Sequence, residues 1–190
     1  MFAYAQLRAA LAGAVLIAFS AVASQALAGA GHADGDEHGH SSGLPMGEPG
    51  NAAEASRTIE IVMYDNYYEP EQLDVTSGET IRFVLKNEGD FVHEFNIATA
   101  DMHASHGPEM MMMMEHGVLE PDRINWDAAK AMQESMGHGM HEEANSILLE
   151  PGQSGELIWK FAETDSVEFA CNIPGHYDSG MVGDINFKAQ

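Results

Sequence analysis

The chain contains a single cysteine, Cys171, in 190 residues. No internal disulfide is open to it, so this is not a disulfide-stapled scaffold. Basic residues are scarce as well. Eight Lys and Arg stand against 30 Asp and Glu, for a formal net charge of −22. That balance excludes a surface built for nucleic acid or anionic lipid and favours cations and basic partners. Past residue 28 no apolar run approaches the roughly 20 residues of a helical membrane span. A Ser/His/Asp arrangement with a nucleophile motif and a phosphate-cradling glycine loop are both missing, which argues against the common hydrolase and nucleotide-binding chemistries.

What is plentiful is methionine, 13 residues, and histidine, 10 residues. Both are clustered. The first 28 residues read as an export signal. Arg8 supplies a positive start, Ala9 to Val22 is apolar apart from Gly13 and Ser20, and Ala26-Leu27-Ala28 fits a small-x-small cleavage site. The expected mature chain begins at Gly29, outside the cytoplasm, with the periplasm as the expected compartment. Residues 29–56 carry Gly, Ala, Ser and acids with His32, His38 and His40. This composition predicts a disordered His- and acid-rich leader.

From residue 57 to 190 a single domain is expected. Short runs with period-two alternation read as strands over 58–64, 72–75, 80–85, 92–98, 146–149, 156–161, 166–171 and 183–189. Within them Ile81, Phe83 and Leu85 share a face, as do Leu157, Trp159 and Phe161. Seven or eight such strands separated by turns predict an all-β antiparallel sandwich. The pattern is interrupted at 101–145, which contains M-H-A-S-H (102–106), five consecutive methionines (110–114) and M-G-H-G-M-H (136–141). A short helix is expected over 128–136 and a long loop elsewhere, because five successive methionines point in every direction and define no single face.

Cys171, His176 and Met181 follow a C-x4-H-x4-M spacing. Thiolate, imidazole and thioether together are a soft donor set that suits copper, whereas zinc wants a fourth strong donor and seldom takes methionine. A trigonal copper site needs a second histidine. His93, in F-V-H-E-F at a turn-to-strand junction, is the best placed. His103, His106, His116, His138 and His141 compete from the Met-rich segment.

The segment F-A-C-N-I-P-G-H-Y-D-S-G-M-V-G (169–183) resembles the copper-ligand loop of the cupredoxins, and F-V-H-E-F resembles their upstream histidine motif. The resemblance covers roughly 57–100 and 146–190. It implies a cupredoxin-like Greek-key sandwich with His93, Cys171, His176 and Met181 as ligands of one type 1-like copper. Family members often carry asparagine after the upstream histidine; here Glu94 stands there. A carboxylate can still accept a hydrogen bond from a loop N–H.

The pattern further resembles the periplasmic copper-tolerance cupredoxins of bacteria. That implies copper handling and tolerance, with the Met/His-rich insertion either binding further Cu(I) or Cu(II) or packing as a low-complexity surface. Electron transfer through Cu(I)/Cu(II), to a basic redox protein or another periplasmic copper protein, is the alternative function. The expected protein is not an enzyme, with oxidation of Cu(I) left open.

Overall fold

A computed structural model describes residues 44–137, 140, 143–162, 164 and 166–188. The expected signal over 1–28, the leader histidines His32, His38 and His40, and His138 and His141 lie outside the described residues.

Ten strands and two α-helices occur among the described residues: β1 (Gly47–Pro49), β2 (Arg57–Tyr64), β3 (Tyr67–Glu69), β4 (Gln72–Val75), β5 (Thr80–Asn87), β6 (His93–Ala98), α1 (Ala100–Glu115), α2 (Trp126–Met136), β7 (Ser146–Leu149), β8 (Ser154–Phe161), β9 (Glu168–Ala170) and β10 (Val182–Phe187). They form two five-stranded sheets, ordered β1-β8-β5-β2-β3 and β4-β10-β9-β6-β7. The all-β sandwich expected from the strand pattern is present. Its pairing is mixed rather than wholly antiparallel, since β2 runs parallel to β5 and β4 parallel to β10.

Alternation decides which side chains meet between the sheets. In β5, Ile81, Phe83 and Leu85 are buried while Arg82 and Lys86 are exposed. Phe83 from one sheet packs on Phe95 from the other at 5.3 Å between ring centroids, and Phe95 packs on Phe169 at the same spacing. Tyr68 closes the group edge-on against Phe169 at 5.0 Å, and its hydroxyl donates to the Glu94 carbonyl at 2.6 Å. This aromatic block therefore ends at the residue next to His93.

Two expectations are corrected. The leader is structured from residue 44. Met46 is fully buried, its carbonyl accepts from the Trp159 indole N–H at 3.1 Å, and β1 pairs with β8. The 101–145 insertion is not mainly loop. Thr99 caps α1 by accepting from the Met102 N–H, and Asn125 caps α2 by accepting from the Ala128 N–H. Met110, Met113, Val118, Leu119, Ile124 and Met132 are buried and belong to the main core.

The insertion explains an oddity of β6, in which all six residues are buried. In a sandwich the outward face of a strand is normally solvated. Here the insertion covers it, so the outward Glu94 and Asn96 are buried polar groups and need partners.

Candidate metal centre

The centre is assembled from one strand and one loop. His93 opens β6, paired opposite Leu149 of β7, and is fully buried. Cys171 follows the last residue of β9 and is fully buried. The chain then turns back. The His176 N–H donates to the Ile173 carbonyl at 2.9 Å, and Gly175 adopts φ +89°, which a residue with Cβ rarely takes. The loop closes on its own ends. The Met181 N–H donates to the His176 carbonyl at 3.0 Å, and the Cys171 N–H donates to the Met181 carbonyl at 3.1 Å. Met181 is fully buried at this closure.

The folding of this loop brings three donors together. Ligand atoms of His93, Cys171 and His176 all lie within 4.8 Å of one another. Cys171 Sγ is 3.4 Å from His176 Nδ1 and 3.9 Å from His93 Nδ1. His176 is half-buried, and its ring lies 6.3 Å from that of Phe91, a side chain 43% exposed. The centre is therefore buried on the cysteine side and reaches the surface on the His176 side.

Asp65 sets the tautomer of His93. Its Oδ1 lies 2.9 Å from His93 Nε2, so that nitrogen carries the proton and Nδ1 presents its lone pair toward the sulfur. Gly89 makes room for this pair. A Cβ there would lie 2.4 Å from Asp65 Oδ1 and 2.8 Å from His93 Nε2. Nothing in the sequence pattern singled out Asp65, which sits in a turn 28 residues upstream. Only the parallel pairing of β2 with β5 and the turn after β2 carry it to the histidine.

Glu94 ties the two ligand segments together. Its Oε2 accepts from the Asn172 backbone N–H at 3.2 Å and from the Asn172 side-chain amide at 2.7 Å. Its backbone N–H donates to Cys171 Sγ at 3.3 Å. The carboxylate thus accepts from a loop N–H, as expected of a carboxylate at this position, and ties strand to loop.

Burial dominates the protonation states. It pushes the Cys171 thiol up to about 12. It pushes His93 below the usual imidazole range, partly offset by Asp65, and does the same to His176 with help from repulsion by His93. Burial also pushes Glu94 upward, but the hydrogen bonds and charge of His106, with Ser146 and Asn172, outweigh it and hold the carboxyl below its ordinary value. The result is a neutral thiol between two neutral imidazoles, with a buried carboxylate behind it. A metal cation that displaces the thiol proton is the species that such a set fits.

The competing histidines are placed elsewhere. His103 and His106 lie on α1, behind Glu94 and Asn172, and His116 is exposed at the C-terminal end of α1. None joins the three-donor cluster among the described residues.

A two-sheet sandwich with a histidine on an inner strand and a Cys-His-Met loop beside it defines a cupredoxin. A family model described as a cupredoxin-like domain matches residues 13–106, which includes His93 and stops within α1. The chain is 46% identical over 156 residues to the copper-resistant cuproprotein CopI of Pseudomonas aeruginosa, covering 77% of this chain and 84% of that one. It is 37% identical over 177 residues to the protein of the same name from Rubrivivax gelatinosus, covering 90% and 93%. The chain belongs to the CopI family of cupredoxin-like copper-resistance cuproproteins. Among solved structures, auracyanin B shares the fold at a TM-score of 0.50 and 15% identity, over 77% of this chain and 97% of that one. The cofactor implied by the family and fitted by the donor set is copper.

Proposed function

We propose that the protein is an exported, periplasmic cupredoxin that acts in copper handling and tolerance. In this reading it binds one copper through His93, Cys171, His176 and Met181. The observation that carries it is the convergence of two imidazole Nδ1 atoms on one buried cysteine sulfur, with Met181 closing the same loop. Copper held there would cycle between Cu(I) and Cu(II). The protein's own residues prepare the site. Asp65 keeps Nδ1 of His93 free, and Glu94 holds the cysteine loop against β6. Cleavage of the signal after Ala28 and a single domain following a His-rich leader belong to the same proposal.

The decisive test is Cys171→Ser. The wild-type protein loaded with one Cu(II) is expected to show an intense visible thiolate-to-copper band, and the variant to lose it. A band that survives in the variant overturns the ligand set.

Electron transfer to a basic redox protein is the second reading. It is favoured by one feature, the exposed Phe91 beside the half-buried His176, which gives the centre an apolar rim at the surface. A shuttle role predicts that Phe91→Ser, which removes the apolar rim without adding charge, slows electron exchange with a basic cytochrome while copper tolerance is unchanged.

A further inference from the structure

α1 turns two histidines, three residues apart, toward the cysteine side of the centre. His103 Nδ1 lies 3.1 Å from the side-chain oxygen of Asn172. The Asn172 amide donates to Glu94 Oε2 at 2.7 Å. The other carboxylate oxygen of Glu94 lies 3.4 Å from His106 Nε2 and accepts from Ser146 Oγ at 2.5 Å. The four side chains His103, Asn172, Glu94 and His106 thus make a polar chain that begins and ends on α1. Its two middle members flank the sulfur. Glu94 gives its backbone N–H to Sγ, and Asn172 follows Cys171 in sequence.

We propose that His103 and His106 are positioning residues for the Cys171 side of the metal centre. Acting through Asn172 and Glu94, they fix the N–H that donates to the sulfur and the loop that carries the sulfur. The proposal rests on the ligand reading given above.

Three observations favour positioning over plain helix packing. First, α1 already has an apolar anchor in Met110 and Met113, both buried, and packing alone requires no imidazole at 103 or 106. Second, His103 is 2% exposed and its Nε2 has no hydrogen-bond partner. An unsatisfied buried nitrogen is unfavourable, and a leucine would fill such a place without it. What His103 gains there is the contact of its Nδ1–H with Asn172. Third, a carboxylate offers only acceptors, so buried Glu94 needs several donors. His106, its Nε2 3.4 Å from Oε1, is the partner that reaches Glu94 from α1. Hydrogen bonds to a ligating sulfur and charges beside it tune a copper site, so this chain links the insertion to the properties of the metal.

The test uses the full mature protein and the variants His103→Leu, His106→Leu, His106→Gln and Glu94→Gln. In the metal-free state, amide hydrogen exchange at Glu94 and Asn172 is expected to quicken by about tenfold or more in both leucine variants. Amides of β2 and β5 are expected to be unchanged, and His106→Gln, which keeps an N–H donor, to restore most of the protection. Unchanged exchange at Glu94 and Asn172 overturns the proposal whether or not copper binds.

With one Cu(II) bound, the thiolate band and the reduction potential are expected to shift in both leucine variants, and the potential to rise in Glu94→Gln as a negative charge leaves the sulfur's surroundings. A band and potential identical to wild type overturn the proposal. Should a leucine variant fail to fold, the His106→Ala and Glu94→Gln pair, which removes the N–H donor and the carboxylate charge in turn, still decides. Non-additive shifts in the double variant support the coupling, and additive shifts overturn it. A wild-type protein that shows the exchange effects but no thiolate band would sink the ligand reading and leave the positioning role standing.

Discussion

At the scale of single residues, the centre depends on protonation as much as on distance. The Cys171 thiol, pushed up to about 12 by burial, is neutral at pH 7, and His93 and His176, pushed below the usual imidazole range, are neutral there too. Binding of Cu(II) must therefore expel one proton, from the thiol, and none from the histidines. Release of about one proton per copper is expected in weakly buffered solution near pH 7, with apparent affinity rising about tenfold per pH unit until the pH nears the thiol's folded-state value of about 12. Titration with a pH indicator checks it, and Cys171→Ser should release none. The same thiol has a linked effect on the metal-free fold. Its pKa is higher folded than unfolded, so the folded state holds the proton more tightly. The stabilisation is complete below the ordinary thiol value of 9.0 and is lost as pH rises toward about 12.

One glycine has an equally local role. A Cβ on Gly183 would lie 2.0 Å from Cζ of Phe169, a fully buried ring of the aromatic block. Gly183 pairs with Phe169 across β10 and β9, on the strand that leaves the metal loop. Gly183→Ala is expected to destabilise the protein by about 1–3 kcal/mol, since neither ring nor strand has space to move. Urea denaturation measures it, and a variant as stable as wild type would mean that the ring can shift.

At the scale of elements, α1 shows what sequence patterning could and could not deliver. The five methionines wrap the helix, so they define no face when read alone. The face is set by a longer stripe, His103, His106, Met110 and Met113, at spacings of three, four and three. That is a helical stripe, and counting histidines as facing residues would have found it. Pro108 lies inside α1, a position unfavourable to a helix, and the helix runs through it because tertiary packing outweighs local propensity. The strands were legible because alternation survives wherever one face is buried. β1 and β3, three residues each, were too short to show a period, and β1 contains Pro49. The Cys-His-Met loop was legible because its donors lie close in sequence. Asp65, Asn172 and the two α1 histidines were not legible in their supporting roles, because those depend on which segments the topology brings together. The stripe makes a paired prediction. Met110→Ala, at a buried position, should cost about 2–5 kcal/mol, and Met111→Ala, one residue away and exposed, within about 0.5 kcal/mol. Equal losses would mean that α1 does not pack along that stripe.

At the scale of the whole molecule, the question is whether the insertion binds copper as well as supporting the centre. Its methionines differ in exposure, and Met102, Met112 and Met140 are partly buried against the core. Met110, Met113 and Met132 are buried in the core, and thioethers there are already surrounded by protein. Met111, Met114 and Met136 are exposed, between 37% and 45%. Large apolar side chains exposed on so acidic a molecule gain little from packing, whereas thioethers in a strongly negative field are suited to capturing Cu(I). Deleting residues 101–145 would not test this, because it would strip the cover from β6 and unsupport Glu94. Replacing the three exposed residues together, Met111→Leu, Met114→Leu and Met136→Leu, keeps volume and apolarity while removing the sulfur. If the insertion is an auxiliary copper site, the triple variant should retain one copper and its thiolate band but bind fewer equivalents of Cu(I) than wild type in an anaerobic competition with a Cu(I) chelator. It should also lower copper tolerance in cells. Wild-type Cu(I) stoichiometry in the triple variant would leave these methionines as a surface for a protein partner, and the electron-transfer reading would gain.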